Sequence, residues 1–172
     1  DFKTYALLTS WKSEKDYDSF MDDNYLKEFK EKCNSIRFIE LETISSHGLW
    51  GDIKPFNASR KINESDFSKN KIAVLTRGAV RISKALNFWF SIGSASKSIS
   101  QAKGVSFYKG IGEFPLFEQA TFSIWDNINY VKKFAYEDKL HFDIVKKAKE
   151  EKWYKEDMFV RFLVKSDKLI EF

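Results

Sequence analysis

Apolar and polar residues follow regular periods over the C-terminal half of the chain. From Leu116 to Trp125 the sequence LFEQATFSIW alternates with the period of two that is typical of a strand. Asp126 follows as a candidate helix N-cap. A helical spacing of three and four residues comes next, and Met158–Val164 returns to a β-rich pattern. The helical positions that we expect to face the domain interior are Phe134, Asp138, His141, Val145 and Ala148.

The segment before Leu116 completes a recognisable order of elements. We expect a strand over 71–81, a helix from Ser83, a second strand over 104–111 and a turn at 112–115. Together with the later elements this gives βαββαβ, the ferredoxin-like unit, over residues 71–172. The predicted fold class is therefore α+β.

The N-terminal third repeats half of this order. We predict a strand over 2–11, a helix over 16–33 and a strand over 35–44. The spacing of Trp11, Phe20 and Leu26 matches that of Trp125, Phe134 and Leu140, so an internal repeat is expected. Residues 1–70 would then hold an incomplete first ferredoxin-like unit with a linker loop, as in tandem or dimeric α/β barrels. Either the missing half lies upstream of Asp1, or a second subunit covers the exposed sheet edge.

The loop between the two units, 45–70, has two interpretations. Its polar part is a linker or surface loop. His47 and Trp50, which stand beside two glycines, could instead form a lid over a pocket.

Composition narrows the function classes. Aromatic residues make up 17% of the chain, which suits either a well-filled core or a cavity for a hydrophobic ligand. The net charge of +4 comes from interleaved signs, so we predict no nucleic-acid partner. Lysine runs at 132–133 and 146–152 indicate a solvated helix face, with peripheral membrane contact as the alternative. The single cysteine, Cys33, excludes an intrachain disulfide and fits the cytoplasm, and we predict no transmembrane segment.

His141 is the principal candidate for chemistry. An inward-facing neutral imidazole can ligate a metal or haem iron, or it can be a core histidine with protein partners. The equivalent position of the first repeat is Lys27, so only the second copy could hold a metal. Asp138, one turn earlier, could orient the imidazole, as could a backbone carbonyl.

Several ordered blocks resemble the spheroidene monooxygenase family of bacterial carotenoid synthesis. The match is close over 71–165 and extends loosely to YALLTSW at 5–11. The resemblance implies a ferredoxin-like fold and a haem-dependent oxygenase that uses dioxygen and a separate electron donor such as ferredoxin to oxidise an acyclic carotenoid. The blocks are AVLTRGAVR (73–81), GIGEFPLFEQATFSIW (110–125), KKFAY (132–136), His141 and WYKEDMFVRF (153–162).

A haem b enzyme needs an axial ligand, an apolar slot and counter-charges for two propionates. His141 would be the ligand, and Trp125, Phe134 and Phe142 are slot candidates that could equally be core residues. Arg77 and Arg81 share one face of the predicted strand 71–81 and are candidates for the propionates. A buried arginine needs a carboxylate, and Glu113 and Glu118 are the competing protein partners for Arg77.

Two alternatives to this oxygenase are open. A haem protein of the same fold could dehydrate an aldoxime or use peroxide, and a cofactor-free module could bind a hydrophobic small molecule in an aromatic cavity. A homo-oligomer is also possible, because single ferredoxin-like units often pair through their sheets.

Overall fold

The computed structural model describes residues 4–22, 24–58, 67–114 and 117–172. They form an α+β structure with one five-stranded sheet. A short 3₁₀ helix, Ile82–Lys84, precedes the third α-helix. The elements in chain order are α1 (Glu14–Met21), α2 (Asn24–Lys32), β1 (Ser35–Gly48), β2 (Ile72–Val80), α3 (Ala85–Gln101), β3 (Val105–Phe114), β4 (Glu118–Trp125), α4 (Ile128–Glu137), α5 (Lys139–Glu150) and β5 (Tyr154–Glu171).

The strand order is β1-β5-β2-β4-β3. Strand β2 lies between two antiparallel neighbours, with Arg77 opposite Ala120 of β4 and Met158 of β5. The four strands that follow residue 71 thus have the order and direction of a ferredoxin-like βαββαβ unit, which confirms the predicted fold class. No helix formed by the described residues is long and apolar enough to span a bilayer.

The two faces of β2 belong to different environments because successive side chains of a strand point to opposite faces. Ile72 and Val74 join a core beneath the helices, where burying each large side chain contributes about 1.5–3 kcal/mol. Leu75 and Arg77 are also buried, but on the other face of the sheet. The buried members of the helix-side core are Ile44, Phe67, Ile72, Val74, Ile99, Trp125, Ile128, Val131 and Leu163.

The chain divides into two compact units, one formed by 1–40 with 165–172 and the other by 41–164. In the first unit Trp11 packs on Phe20 at 4.9 Å, and Arg37 pairs with Asp167 at 2.7 Å. The second unit contains β2–β4 and α3–α5. The predicted domain boundary at residue 70 and the internal repeat stay predictions.

Three predictions of N-terminal and turn structure were wrong. Residues 4–11 of the expected first strand form neither helix nor strand, and 2–3 lie outside the described residues. The helix expected over 16–33 is two helices, α1 and α2. Residues 112–114 continue β3 rather than turning, because β3 stays paired with β4 as far as Phe114, opposite Glu118.

The helix carrying His141 also differs from the prediction. Asn127, not Asp126, caps α4, since its side-chain oxygen accepts the N–H groups of Asn129 and Tyr130 at 3.0 and 3.4 Å. Asp126 lies one residue before the cap, and its backbone N–H donates to the carbonyl of Gly104 at 2.8 Å. The predicted single helix is therefore a helix pair with its own internal cap.

We expect Gly48→Ala to destabilise the protein. Gly48 ends β1 at φ +83°, and a Cβ there would collide with the backbone carbonyl of Asp157 in β5. Positive φ and overpacking each cost about 1–3 kcal/mol. In urea unfolding, Gly48→Ala should therefore lower the free energy of unfolding by at least about 2 kcal/mol more than Gly51→Ala does. Gly51 also has a positive φ, +59°, but open space around its Cβ position. Equal losses for the two variants would contradict the close approach.

Candidate functional site

His141 lies in the first turn of α5 at the end of a column of aromatic rings. Its imidazole packs on Phe134 of α4 with ring centroids 4.4 Å apart and planes inclined by 34°. Phe134 in turn packs on Trp125 at 5.1 Å. The indole of Trp125 is 2% exposed and donates to the hydroxyl of Ser123 at 2.9 Å. The column therefore connects a half-buried histidine to the innermost layer of the helix-side core.

Asp138 positions the turn that carries His141. With ψ at 107° it ends α4 and serves as the N-cap of α5. One carboxylate oxygen accepts the backbone N–H of His141 at 2.7 Å and the hydroxyl of the buried Ser98 at 2.8 Å. These bonds, the one from His141 first, hold the pKa of Asp138 below its usual value. The carboxylate therefore positions the backbone of the turn, and its described hydrogen bonds do not include the imidazole that it or a backbone carbonyl could orient.

The imidazole has the properties that a nitrogen ligand needs. Burial lowers the pKa of His141, and the nearby Asp138 only partly opposes this shift. The ring is therefore neutral near pH 7, which leaves one nitrogen lone pair available for an iron or another acceptor. Because Phe134 covers a face of the ring, the stacking does not itself occupy the ring nitrogens, which lie at the edge. His141 thus fits the donor chemistry of a haem ligand.

Arg77 forms a separate charged cluster on the opposite face of the sheet. It is 3% exposed, and its guanidinium meets Glu156 of β5 at 2.6 Å and Glu118 of β4 at 3.4 Å. The ring of Trp50 lies against the guanidinium, 4.9 Å from its central carbon. Glu118 was an expected partner, whereas the side chain of Glu113 lies outside the described part of the chain.

Glu156 also fixes the loop that carries Trp50. Its two oxygens accept the backbone N–H groups of Gly51 and Asp52 at 2.9 and 3.1 Å. These two bonds, followed by the bond to Arg77, lower the pKa of Glu156. Farther along, Phe56 packs edge-on against Phe162 at 5.3 Å, so the segment after β1 covers part of this sheet face. Sequence reasoning missed Glu156 because only the β2–β5 register brings it to Arg77.

The structure brings together some of the expected site residues and separates others. His141, Phe134 and Trp125 form one column, whereas Arg77 lies across the sheet from them. Arg81 follows β2 at the start of the 3₁₀ helix and is exposed, and Phe142 is 50% exposed on α5. The structure therefore does not group both arginines and all three aromatics around His141. The reason is geometric, since strand alternation sends Arg77 away from the helices, and Phe142 follows His141 by about 100° around α5.

Arg81 instead lines a shallow hollow beside the C-terminal end of α5. The hollow has a volume of about 220 Å³, below the range of roughly 300–1,000 Å³ typical of small-molecule pockets. Three of its lining side chains are cationic and one is a carboxylate. The lining residues are Arg81, Ala148, Lys149, Lys152, Tyr154 and Asp157.

Comparisons with known proteins identify relatives. No protein-family model matches the chain. It is 29% identical over 163 residues to spheroidene monooxygenase of Rhodobacter capsulatus, a match that covers 94% of this chain and 67% of the relative. It is 33% identical over 125 residues to spheroidene monooxygenase of Cereibacter sphaeroides, covering 72% of this chain and 37% of that relative. The chain thus spans about two thirds of the first relative and little over a third of the second.

Among solved structures, a provisionally named monooxygenase from Fusobacterium nucleatum superposes with a TM-score of 0.54 at 11% identity. The superposition covers 94% of this chain and 69% of the other. At this identity the likeness shows a shared fold and no more.

Glu156→Gln should destabilise the protein more than Glu118→Gln. The first change leaves the buried Arg77 without its closest counter-charge, while the second removes a longer contact from a side chain that is 29% exposed. We expect losses of about 2 kcal/mol and about 0.5 kcal/mol, respectively, in urea unfolding. Indistinguishable losses would show that Glu156 is not the principal partner of Arg77.

The same carboxylate predicts a pH dependence. The pKa of Glu156 is lower in the folded protein than its ordinary value of 4.5, so its stabilisation is complete above 4.5 and is lost as the pH falls through the folded-state pKa. The free energy of unfolding of the wild type should therefore fall with acidification below 4.5. Glu156→Gln should show a weaker fall in this window, and an unchanged slope would contradict the assignment.

Proposed function

We propose that this chain, which is 29% and 33% identical to two spheroidene monooxygenases over 94% and 72% of its length, is a haem-dependent monooxygenase of a hydrophobic, acyclic carotenoid-like substrate. The proposed reaction consumes dioxygen and two electrons with two protons, places one oxygen atom in the substrate and releases the other as water. An external donor such as ferredoxin would supply the electrons. A monooxygenase is the activity that the names of the relatives support, and haem, substrate and donor are the parts that we add.

The observation that carries the haem proposal is the state of His141. The neutral, half-buried imidazole on α5 would hold the iron through one ring nitrogen. Haem bound there would supply the activation of dioxygen. His141 also stands within the segment 71–165 that resembles the family, so the resemblance and the burial of the imidazole both support the proposal for this residue.

The surrounding residues have supporting tasks. Phe134 packs on one face of the imidazole, excludes water from it and limits its rotation. Asp138 fixes the backbone from which His141 projects, and Ser98 ties Asp138 to α3. The side chain of His141 is thus held in place by the ring of Phe134, and its backbone is held by the helix cap at Asp138.

Arg77 has a different task in this proposal. Glu156 and Glu118 already compensate its charge, and the face of the sheet on which it lies is not the face of His141. Arg77 is therefore part of the support for the Trp50 loop rather than a partner for a propionate. Any propionate contacts would come from residues other than Arg77.

The absorption spectrum tests the haem proposal. Purified protein titrated with haem b should give a Soret band, and His141→Ala should weaken haem binding by about 100-fold or more or shift the band, since it removes the ligand itself. His47→Ala is the matched control, because His47 is the other histidine of the chain and is exposed at the end of β1. The control should titrate like the wild type.

Two results would contradict the proposal. One is a wild type that shows no Soret band after titration with haem. If that protein also binds a carotenoid tightly, the result would favour the cofactor-free binding module. The other is a His141→Ala variant with the wild-type band and affinity. Folding of each variant should be verified by urea unfolding, because the imidazole also contributes packing against Phe134.

A further inference from the structure

Helix α3 presents large apolar side chains to solvent on the side opposite its buried face. Phe88 and Ile99 face the interior, both 9% exposed. Leu86 and Phe90, at 74% and 83% exposure, lie roughly 160–200° around the helix from Phe88, at 100° per residue. An α-helix of a globular protein normally carries polar residues there. The solvent-facing side of α3 thus has the apolar composition that is normal for a buried helix face.

Two further large apolar residues near Leu86 and Phe90 in the sequence are exposed. Ile82 of the 3₁₀ helix is 80% exposed, and Trp89 is 38% exposed. No residue from Ala85 to Ser96 carries a charge, so the first three turns of α3 are uncharged. We name Ile82, Leu86, Trp89 and Phe90 the α3 stripe. Contiguous exposed apolar side chains of this size mark interaction sites on soluble domains.

Along the sequence the charges that flank the α3 stripe have one sign, while in the fold the carboxylate of Glu151 accepts the side-chain amide of Asn87 at 3.1 Å. Between positions 81 and 112 the sequence contains five basic residues and no acidic one. The chain as a whole has 25 acidic residues against 29 basic ones, so this segment departs strongly from the average. The five basic residues are Arg81, Lys84, Lys97, Lys103 and Lys109.

The cationic hollow and the α3 stripe are connected by neighbouring residues in the sequence. Arg81 lines the hollow and directly precedes Ile82, the first residue of the α3 stripe. Lys149 and Lys152 add two positive charges, and Asp157 removes one. An apolar stripe with cations at its start and at Lys97 has the pattern of a helix that lies in the interface of a membrane with anionic lipids.

We propose that the α3 stripe and the hollow at Arg81 form a docking surface for an anionic lipid bilayer. The apolar side chains would enter the boundary between headgroups and acyl chains, and the cations would face the lipid phosphates. This inference goes beyond the proposed oxygenase and does not depend on haem, because its residues are not those of the His141 column. A protein docked in this way would act at the membrane, where hydrophobic substrates dissolve.

Vesicle co-sedimentation tests the docking surface. The full chain should sediment with vesicles of phosphatidylcholine mixed with phosphatidylglycerol, and much less with pure phosphatidylcholine. Leu86→Ser with Phe90→Ser should weaken binding by about tenfold or more, because two apolar side chains no longer enter the bilayer. Arg81→Gln with Lys149→Gln should weaken it by about fivefold per charge and reduce its dependence on salt.

Tyr136→Ser is the matched control for the apolar variants. Tyr136 is 70% exposed on α4 and lies outside the α3 stripe, so its loss should leave vesicle binding unchanged. Urea unfolding and circular dichroism should show that all variants are folded. The proposal is overturned if the wild type does not bind the anionic vesicles, or if the folded Leu86/Phe90 variant binds as well as Tyr136→Ser.

A second copy of the chain is the competing occupant of this surface. Light scattering of the same proteins without lipid separates the two cases. A wild-type dimer that becomes monomeric in the Leu86/Phe90 variant, with no vesicle binding by either, would overturn the proposal in favour of self-association. Vesicle binding by a wild type whose mass is unchanged by these substitutions supports the bilayer.

Discussion

The pairing of β2 with a neighbour on each edge is the constraint on which the candidate site depends. Both neighbours are antiparallel, and their registers place Ala120 and Met158 beside Arg77. A central strand held in this way cannot rotate its side chains from one face to the other without losing two ladders of hydrogen bonds. It therefore assigns Val74 to the core below the helices and Arg77 to the other face of the sheet.

The helix side of the sheet is where a reactive imidazole can be both held and kept neutral. Trp125 contributes the fixed base of the column, Phe134 the middle ring and His141 the outer one. The cap at Asp138 determines that α5 begins where His141 can reach Phe134. Desolvation lowers the pKa of the ring, and the same packing restricts its motion, so one arrangement provides both the chemical state and the geometry of a ligand.

The other face uses a buried charge for a structural purpose. A guanidinium with 3% exposure is costly unless its partners are in place, and here two carboxylates and an indole surround it. Glu156 joins this cluster to the backbone of the loop at Gly51 and Asp52. The lid function considered for His47 and Trp50 stays a prediction, but the loop has a defined anchor. Helix α3 belongs to neither the His141 column nor the Arg77 cluster. It combines exposed apolar residues with a sequence segment that lacks acidic ones.

Much of the ferredoxin-like order was readable from local patterns, because β4 alternates, β2 and β5 are rich in apolar residues and α3 carries a helical pattern. His141 and its stacking partners could also be proposed, since residues seven apart on helical turns share a side of the structure even across the break at Asp138. Local pattern failed at residues 4–11, where an apolar segment forms no strand, and at Asp126, where the neighbouring Asn127 caps α4 instead.

What the amino-acid sequence determined by itself is local: the strands of the second half, the helical pattern that carries His141, and the absence of charge from Ala85 to Ser96. Only the tertiary structure decided that Arg77 pairs with Glu156, 79 residues away, and lies across the sheet from His141. The physical reason is that strand register and face are set by pairing between distant segments. A local pattern shows that an arginine is buried but not which carboxylate compensates it.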